Sequence, residues 1–324
     1  MRLSFLLLFL STSLKCIAYQ VFEQDCMGVK FILLIDENDM QKAKKGAKAA
    51  FEEGERLNMT LSDYESSSEL IRFSESSKTG EKFSLSPDLF KVLNQSQKLA
   101  HETEGCFDVT IGPLSRLWRI ARFRKKIPPI EKISTALQRV GYSNLCLSQE
   151  EQMGSLKTPG MVLDLGGIAK GYAADCMLKT LRKMGLKRCL IDAGGDLVIG
   201  DPPRNTKGWK VEIGGRKHPA FPTLHLANVA VATSGDLEQF VTMNGKRYSH
   251  LIDPKTGLGL TTQCQVTVIA PSGMEADSLA SAFLVMGSRK SKSYLEDRTA
   301  ITAFYLQKKD SSTAFTLLGE KERK

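Results

Sequence analysis

Several signatures that would settle the chemistry of a chain are missing from these 324 residues. Lys170, close to the paired glycines Gly166-Gly167, is followed by Gly171 rather than Ser or Thr, which excludes a P-loop. No Gly-x-Gly-x-x-Gly occurs either, which excludes the usual dinucleotide fingerprint. Seven cysteines are present, but no two share C-x-x-C spacing and none of the four histidines stands beside them, so neither a zinc ribbon nor a dithiol redox site is encoded. Cys26, Cys106, Cys146, Cys176, Cys189 and Cys264 read as buried small hydrophobes, with a disulfide left open for an oxidising compartment. After the first residues no stretch is apolar enough to cross a bilayer, and there is neither an internal repeat nor a clear linker.

What is present begins with a leader. Met1-Arg2, the apolar run Leu3 to Leu10 and Cys16-Ile17-Ala18 have the shape of a secretory signal over residues 1–18, cut before Tyr19. Alternatively Cys16 is the lipidated cysteine of a bacterial lipoprotein, although Lys15 fits poorly there. An exported, periplasmic protein is expected, with a lipid anchor to the inner membrane as the second option. The formal charge of +9 falls to +7 once Arg2 and Lys15 leave with the leader. Much of the excess lies in Arg116 to Lys126, a basic run interleaved with aromatics and followed by Pro128-Pro129, which reads as a surface loop. An exported protein meets no nucleic acid, so this run is a solvated face or a contact with anionic membrane.

The rest is organised around Met161 to Gly200. Two apolar runs each end in a carboxylate and paired glycines, Val162 to Gly167 and Leu190 to Asp196. Between them Ala173, Met177, Leu181 and Met184 mark one helical face, closed by Lys183 and Gly185. The reading is strand, glycine turn, helix, strand, glycine turn. Paired glycines and a helix start suit an anionic, phosphate-bearing ligand. Two structural turns in an α/β domain are the alternative.

Elsewhere, Phe31 to Leu34 reads as a strand, and Met40, Ala43, Ala47, Ala50, Phe51, Gly54 and Leu57 trace a helical face. Leu61 to Ser74 reads as a hydroxyl-rich ordered loop, and Ser74 to Lys82 as too polar for the core. Ser86-Pro87 opens a helix that Gly105 ends. The alternation of Cys106 to Pro113 suggests a strand with Asp108 and Thr110 on one side. A helix follows over about Ile130 to Val140, then strands at Trp209–Ile213, Leu224–Leu226, Val229–Thr233, Gln263–Ala270 and Thr299–Leu306. Glu275 to Met286 reads as a helix capped by Gly287, and Lys308 to Lys324 as a fraying tail.

Three groups stand out chemically. His250 leads into the rigid turn Asp253-Pro254-Lys255-Thr256-Gly257. Asp277 and Ser281, four apart on a helix, present two oxygens on one face, a pair suited to Mg²⁺. Thr233-Ser234-Gly235-Asp236 is a further polar glycine turn past a strand.

Taken in order, Met27-Gly28, FDVTIGPLSRLW from Phe107, DLGGIAKGYAAD from Asp164, IDAGGDLVIG from Ile191, ATSGD from Ala232, YSHLIDPKTG from Tyr248 and EADSLASAFLVMG from Glu275 resemble the ApbE family of FAD:protein FMN transferases. The resemblance implies one α/β unit over residues 19–324, layered α+β, of two related halves with FAD between them and a soft boundary near 150–160. It implies transfer of FMN from FAD to a Ser or Thr hydroxyl of an acceptor protein, with release of AMP. Acceptors of the family are membrane redox subunits, such as those of Na⁺-translocating NADH:quinone reductase, modified within Asp-Gly-x-[Ser/Thr]-Gly-Ala-[Ser/Thr]. Carried onto this chain, FAD contacts fall on Met27, Cys106, Phe107, Asp108, Asp164, Lys170, Leu251 and Ile252, and Mg²⁺ ligands on the Gly167 carbonyl, Asp277 and Ser281. Asp277 and His250 are the candidates for the base that takes the acceptor proton. The chain departs from the family pattern at Ser74, at Ser281 and over Arg119 to Lys126, the last a basic segment expected to meet lipid or acceptor. Alternative functions are an FAD pyrophosphatase yielding FMN and AMP, and a periplasmic flavin binder without turnover; an aspartate at 277 favours catalysis.

Overall fold

The computed structural model describes residues 19–216, 221–235, 240–243, 246–249, 251–309 and 312–319. Strands Gln20–Cys26 (β1) and Val29–Ile35 (β2) join through Met27 and Gly28, whose φ values of 50° and 76° form the two-residue turn that matches the twist of antiparallel strands. There follow α1 (Met40–Leu61), α2 (Glu69–Ser76), β3 (Phe83–Ser84), α3 (Pro87–Glu102), α4 (Gly112–Arg124), α5 (Ile130–Leu137), β4 (Leu145–Ser148) and β5 (Met153–Leu156). Next come α6 (Ala169–Lys183), β6 (Cys189–Ala193), β7 (Asp196–Ile199), β8 (Trp209–Glu212), β9 (Thr223–Leu226), β10 (Ala230–Gly235), β11 (Phe240–Met243) and β12 (Lys246–Ser249). The described chain closes with β13 (Cys264–Ala270), α7 (Gly273–Leu295), β14 (Thr302–Lys309) and β15 (Ser312–Leu318).

Eight strands form one sheet in the order β1-β2-β6-β7-β10-β13-β14-β15. Every neighbouring pair in it is antiparallel. Because successive side chains of a strand point to opposite faces, each strand serves two cores. Ile191, Val198, Ala230, Ala232, Ala303 and Tyr305 face the large cluster shared with α1, α6 and α7. Leu190, Ile199, Val231 and Phe304 face the other way, onto Trp209 and Val211 of β8. Each fully buried Leu or Phe in such a core contributes about 1.5–3 kcal/mol. A third cluster packs Leu114, Trp118 and Ala121 of α4 on Ile133 and Ala136 of α5 and on Ile252.

Helix α1 follows the expected period: Ala43, Ala47, Ala50, Phe51, Gly54 and Leu57 are buried, while Met40 is exposed at the start. Asp39 caps it, accepting from the Gln41 and Lys42 amides. Its small residues let it lie close to α6; a Cβ on Gly46 would stand 3.3 Å from Leu181 Cδ2 of that helix and press on Leu186 just past its end.

Several expectations are corrected. Val162 to Leu165 is not a sheet strand; Val162 makes a single bridge to Ile111. Its neighbours' amides are met by a loop carbonyl and a side chain instead, Asp164 N to Val109 O and Leu163 N to Ser74 Oγ. Residues 106–111 likewise form no strand, because Asp108 Oδ1 accepts from both the amide and the hydroxyl of Thr110 and bends the backbone locally. The segment after Ser68 is helical, with Ser68 Oγ capping α2 through the Ile71 amide. Ser74 and Ser77 are buried, bonded to the 161–163 segment. The basic run is the body of α4 rather than a loop, and the tail contains β15, paired with β14 from Ala303 to Lys309. Helix α7 runs past Gly287, which interrupts it with φ 75°, and ends at Leu295.

Candidate active site

Helices α6 and α7 meet at their N-termini through two glycines. A Cβ on Gly171 would lie 2.0 Å from Gly273 O, and one on Gly273 would lie 2.5 Å from Gly171 O, so only glycine permits this approach. At this crossing each helix caps the other. Asp175 of α6 accepts from the Gly273 and Met274 amides at 2.7 and 2.9 Å, and Asp277 of α7 accepts from the Gly171 amide at 3.1 Å. The α6 start expected to bind an anion is therefore already met by a carboxylate. The turn amides behave the same way: Gly166 N–H donates to Asp164 Oδ1 and Gly195 N–H to Asp192 Oδ1, each to the carboxylate that opens its own turn.

Charge gathers just beyond this crossing. The Lys170 ammonium lies 3.1 Å from Asp196 Oδ2 and 3.5 Å from Asp277 Oδ2. Burial pulls the Lys170 pKa down, but Asp277 and Asp196 outweigh it and leave it raised. Burial pushes the Asp277 carboxyl up, to about 6; Lys170 draws it down and the Asp196 charge adds to the rise. One turn along α7, Ser281 Oγ is 3.1 Å from Ser234 Oγ at the end of β10. Gly167 is pressed against the same hydroxyl, since a Cβ there would stand 2.9 Å from Ser281 Oγ. Asp196 is held from its other oxygen by the Thr233 amide at 3.1 Å.

A second charged group sits on α4. The Arg119 guanidinium bridges Asp63 and Asp164, at 3.1 Å from the latter, and stacks under the Tyr64 ring with 4.1 Å to its centroid. Burial and the neighbouring Asp164 charge push the Asp63 carboxyl up against the pull of Arg119.

Both groups line one cavity of about 640 Å³, within the range of small-molecule sites. Of the residues expected from sequence, Cys106, Phe107, Asp108, Asp164, Gly167, Lys170, Leu251, Ile252, Asp277 and Ser281 all contribute to its wall. Met27 does not; it sits in the β1–β2 turn, packed on the main core, while Val29 reaches the wall. His250 lies outside the described residues, as does Asp236. Asp108 has its oxygens taken up by Thr110 and by the Tyr142 amide at 2.9 Å, and burial raises its pKa. The turn after Ile252 forms as expected: the Gly257 amide closes on Asp253 O at 2.8 Å with φ 69°, and Trp118 Nε1 donates to Gly257 O at 2.8 Å.

Tyr64, Arg119 and Asp196 line the wall, and Asp63 pairs with Arg119, without any of the four having been given a site role from sequence; Ser234, from the polar glycine turn noted in sequence, lines it too. Asp196 and Ser234 had a signal, since each lies in a polar glycine turn beside a strand. Asp63 and Arg119 had none; they pair across 56 positions of sequence.

Among the described residues no three His, Cys, Asp or Glu side chains cluster as a metal site. The donors at the α6–α7 crossing are all hard oxygens: the carboxylates of Asp277 and Asp196, the Ser281 hydroxyl and the backbone at Gly167. That set fits Mg²⁺ and not a thiophilic or imidazole-seeking ion.

A family model described as the ApbE family matches residues 27–305. The FAD:protein FMN transferase of Haemophilus influenzae is 30% identical over 281 residues, covering 82% of this chain and 80% of its own. That of Treponema pallidum is 31% identical over 236 residues, covering 67% and 65%. Among solved structures, the flavin transferase ApbE from Vibrio cholerae matches with a TM-score of 0.82 at 26% identity, over 93% of this chain and 97% of that one. The apo form of the Pseudomonas stutzeri flavinyl transferase ApbE matches with 0.81 at 25%, over 93% and 95%.

Proposed function

The chain belongs to the ApbE family, and from that premise we propose that it is an FAD:protein FMN transferase acting on a Ser or Thr hydroxyl of an acceptor protein. The acceptor oxygen attacks the FMN-side phosphorus of FAD, the bond from that phosphorus to the bridging oxygen breaks, and AMP leaves with the bridging oxygen. The hydroxyl proton passes to a base. The observation that carries the reading is the cluster of Lys170, Asp196, Asp277 and Ser281 at the α6–α7 crossing, in one cavity wall with Gly167.

Mg²⁺, held by Asp277, Ser281 and the Gly167 carbonyl, would neutralise charge on the diphosphate. Lys170 supplies a fixed positive charge against the same anion, and its two carboxylate partners keep it protonated at neutral pH. Asp277 is the base candidate among the described residues, its carboxyl reaching the cavity wall beside Lys170. Phe107, Leu251 and Ile252 give the wall apolar surface for a flat ring system. The acceptor is proposed to be a membrane redox subunit carrying Asp-Gly-x-[Ser/Thr]-Gly-Ala-[Ser/Thr], met outside the cytoplasm after export by the leader.

Purified protein is incubated with FAD and Mg²⁺, with and without a peptide of that sequence. A peptide that gains the mass of FMN less water, with AMP released in equal amount, is the expected result. Free FMN and AMP regardless of peptide would convert the reading to a pyrophosphatase, and unchanged FAD would leave only a binder.

A further inference from the structure

Helix α4 carries three distinct faces. Leu114, Trp118 and Ala121 are buried in the core it shares with α5, and Ser115, Arg119 and Arg122 line the cavity. The third face, Arg116, Ile120, Phe123 and Arg124, points to solvent, with Ile120 53% and Phe123 90% exposed. Lys125 and Lys126, also exposed, follow at once. Their position is fixed: Lys125 ends the helix in the left-handed region at φ 49°, and the Lys125 and Lys126 amides donate back to Arg122 O and Ala121 O. Pro128 is buried beyond them. No Asp or Glu occurs between Asp108 and Glu131, a span that contains Arg116, Arg119, Arg122, Arg124, Lys125 and Lys126.

From this surface we infer that α4 is a membrane-docking element, which lays Ile120 and Phe123 into the interface of an anionic phospholipid bilayer while the surrounding cations meet the headgroups. A phenylalanine almost wholly in water at a fixed helix end, ringed by cations and without acidic neighbours in sequence, has the chemistry of an interfacial anchor. The charge complementarity is to a dense anionic plane. Arginine and lysine extend their stems along apolar surface while holding their charges among headgroups. No described helix is long and apolar enough to cross a membrane, so docking is peripheral. Because the adjoining face lines the cavity, docking sets the cavity beside the bilayer, where a membrane-borne acceptor would present its hydroxyl; only this last step rests on the transferase reading.

The test is flotation of the full chain with phosphatidylcholine vesicles with and without phosphatidylglycerol, comparing wild type, Phe123→Ser and the double variant Arg124→Gln/Lys126→Gln. All three positions are exposed and outside the cavity wall, and thermal unfolding checks that the fold is intact. Wild type floats with anionic vesicles and is released by salt. Phe123→Ser weakens that binding by about tenfold or more. The double variant loses a similar factor on anionic vesicles only. Equal flotation with both vesicle types, or variants that float like wild type, overturns the proposal. So does a variant that floats normally but labels a soluble acceptor peptide more slowly, which would assign the face to the protein acceptor. Flotation requires no FAD, so its failure is distinguishable from failure of the transferase reading.

Discussion

The buried Asp277 carboxyl carries a measurable cost of ionisation. Its folded pKa, about 6, lies above the ordinary value of 3.8 because burial disfavours the anion. A group raised in this way contributes full stability below about 4 and loses it as pH rises through about 6. Asp277→Asn cannot titrate, so in the presence of a chelator its stability relative to wild type should improve by up to about 3 kcal/mol between pH ~4 and ~7. The lost bonds to Gly171 and Lys170 set the offset of that difference and the proton sets its slope. Denaturant unfolding at the two pH values reads it, and a pH-independent difference would refute the assignment. The same variant should lose nearly all transfer activity. At this scale the Asp277–Ser281 pair was legible, because two oxygens four residues apart on a helix share a face. The Arg119 bridge was not, because an ion pair closed by tertiary packing leaves no local period.

Between elements, the decisive contact is the crossing of α6 and α7, where Gly171 and Gly273 touch through backbone and each helix caps the other. Gly171→Ala places a methyl group against Gly273 O and 2.9 Å from the Asp277 Cβ position. Overpacking of this kind costs roughly 1–3 kcal/mol, and the helices can relieve it only by separating, which withdraws Asp277 from Lys170. Lower stability together with reduced FMN transfer is expected, read by chemical denaturation and peptide labelling; an alanine variant as stable and active as wild type would show that the crossing tolerates expansion. Helices α1, α3 and α6 were legible from apolar spacing. Helix α4 was misread because two of its three faces carry arginine and its buried stripe is reduced to Leu114, Trp118 and Ala121. Strand β15 escaped because its partner β14, not its own apolar content, keeps it in place.

For the whole molecule, mixed α/β character was visible in the alternation of periods, yet the sheet connectivity was not. The segment before α6 has its amides bonded to a loop and a serine, so the expected strand–helix–strand unit becomes a helix feeding an antiparallel sheet. The cysteine pattern was open in sequence; among the described residues Cys26, Cys106, Cys146, Cys176 and Cys189 are free thiols. Burial raises the thiols of Cys26 and Cys189 to about 12, which keeps them protonated and inert. A native disulfide typically contributes about 2–5 kcal/mol, so a melting temperature unchanged by reductant is expected, and a drop on reduction would contradict these free thiols.

The chain's two indoles are divided between the two sides of this architecture. Trp118 belongs to the cavity wall, while Trp209 stands in the core across the sheet. Only Trp118 adjoins the cavity, so an occupant that touches the wall changes the surroundings of that ring directly, and the protein carries a binding sensor without a label.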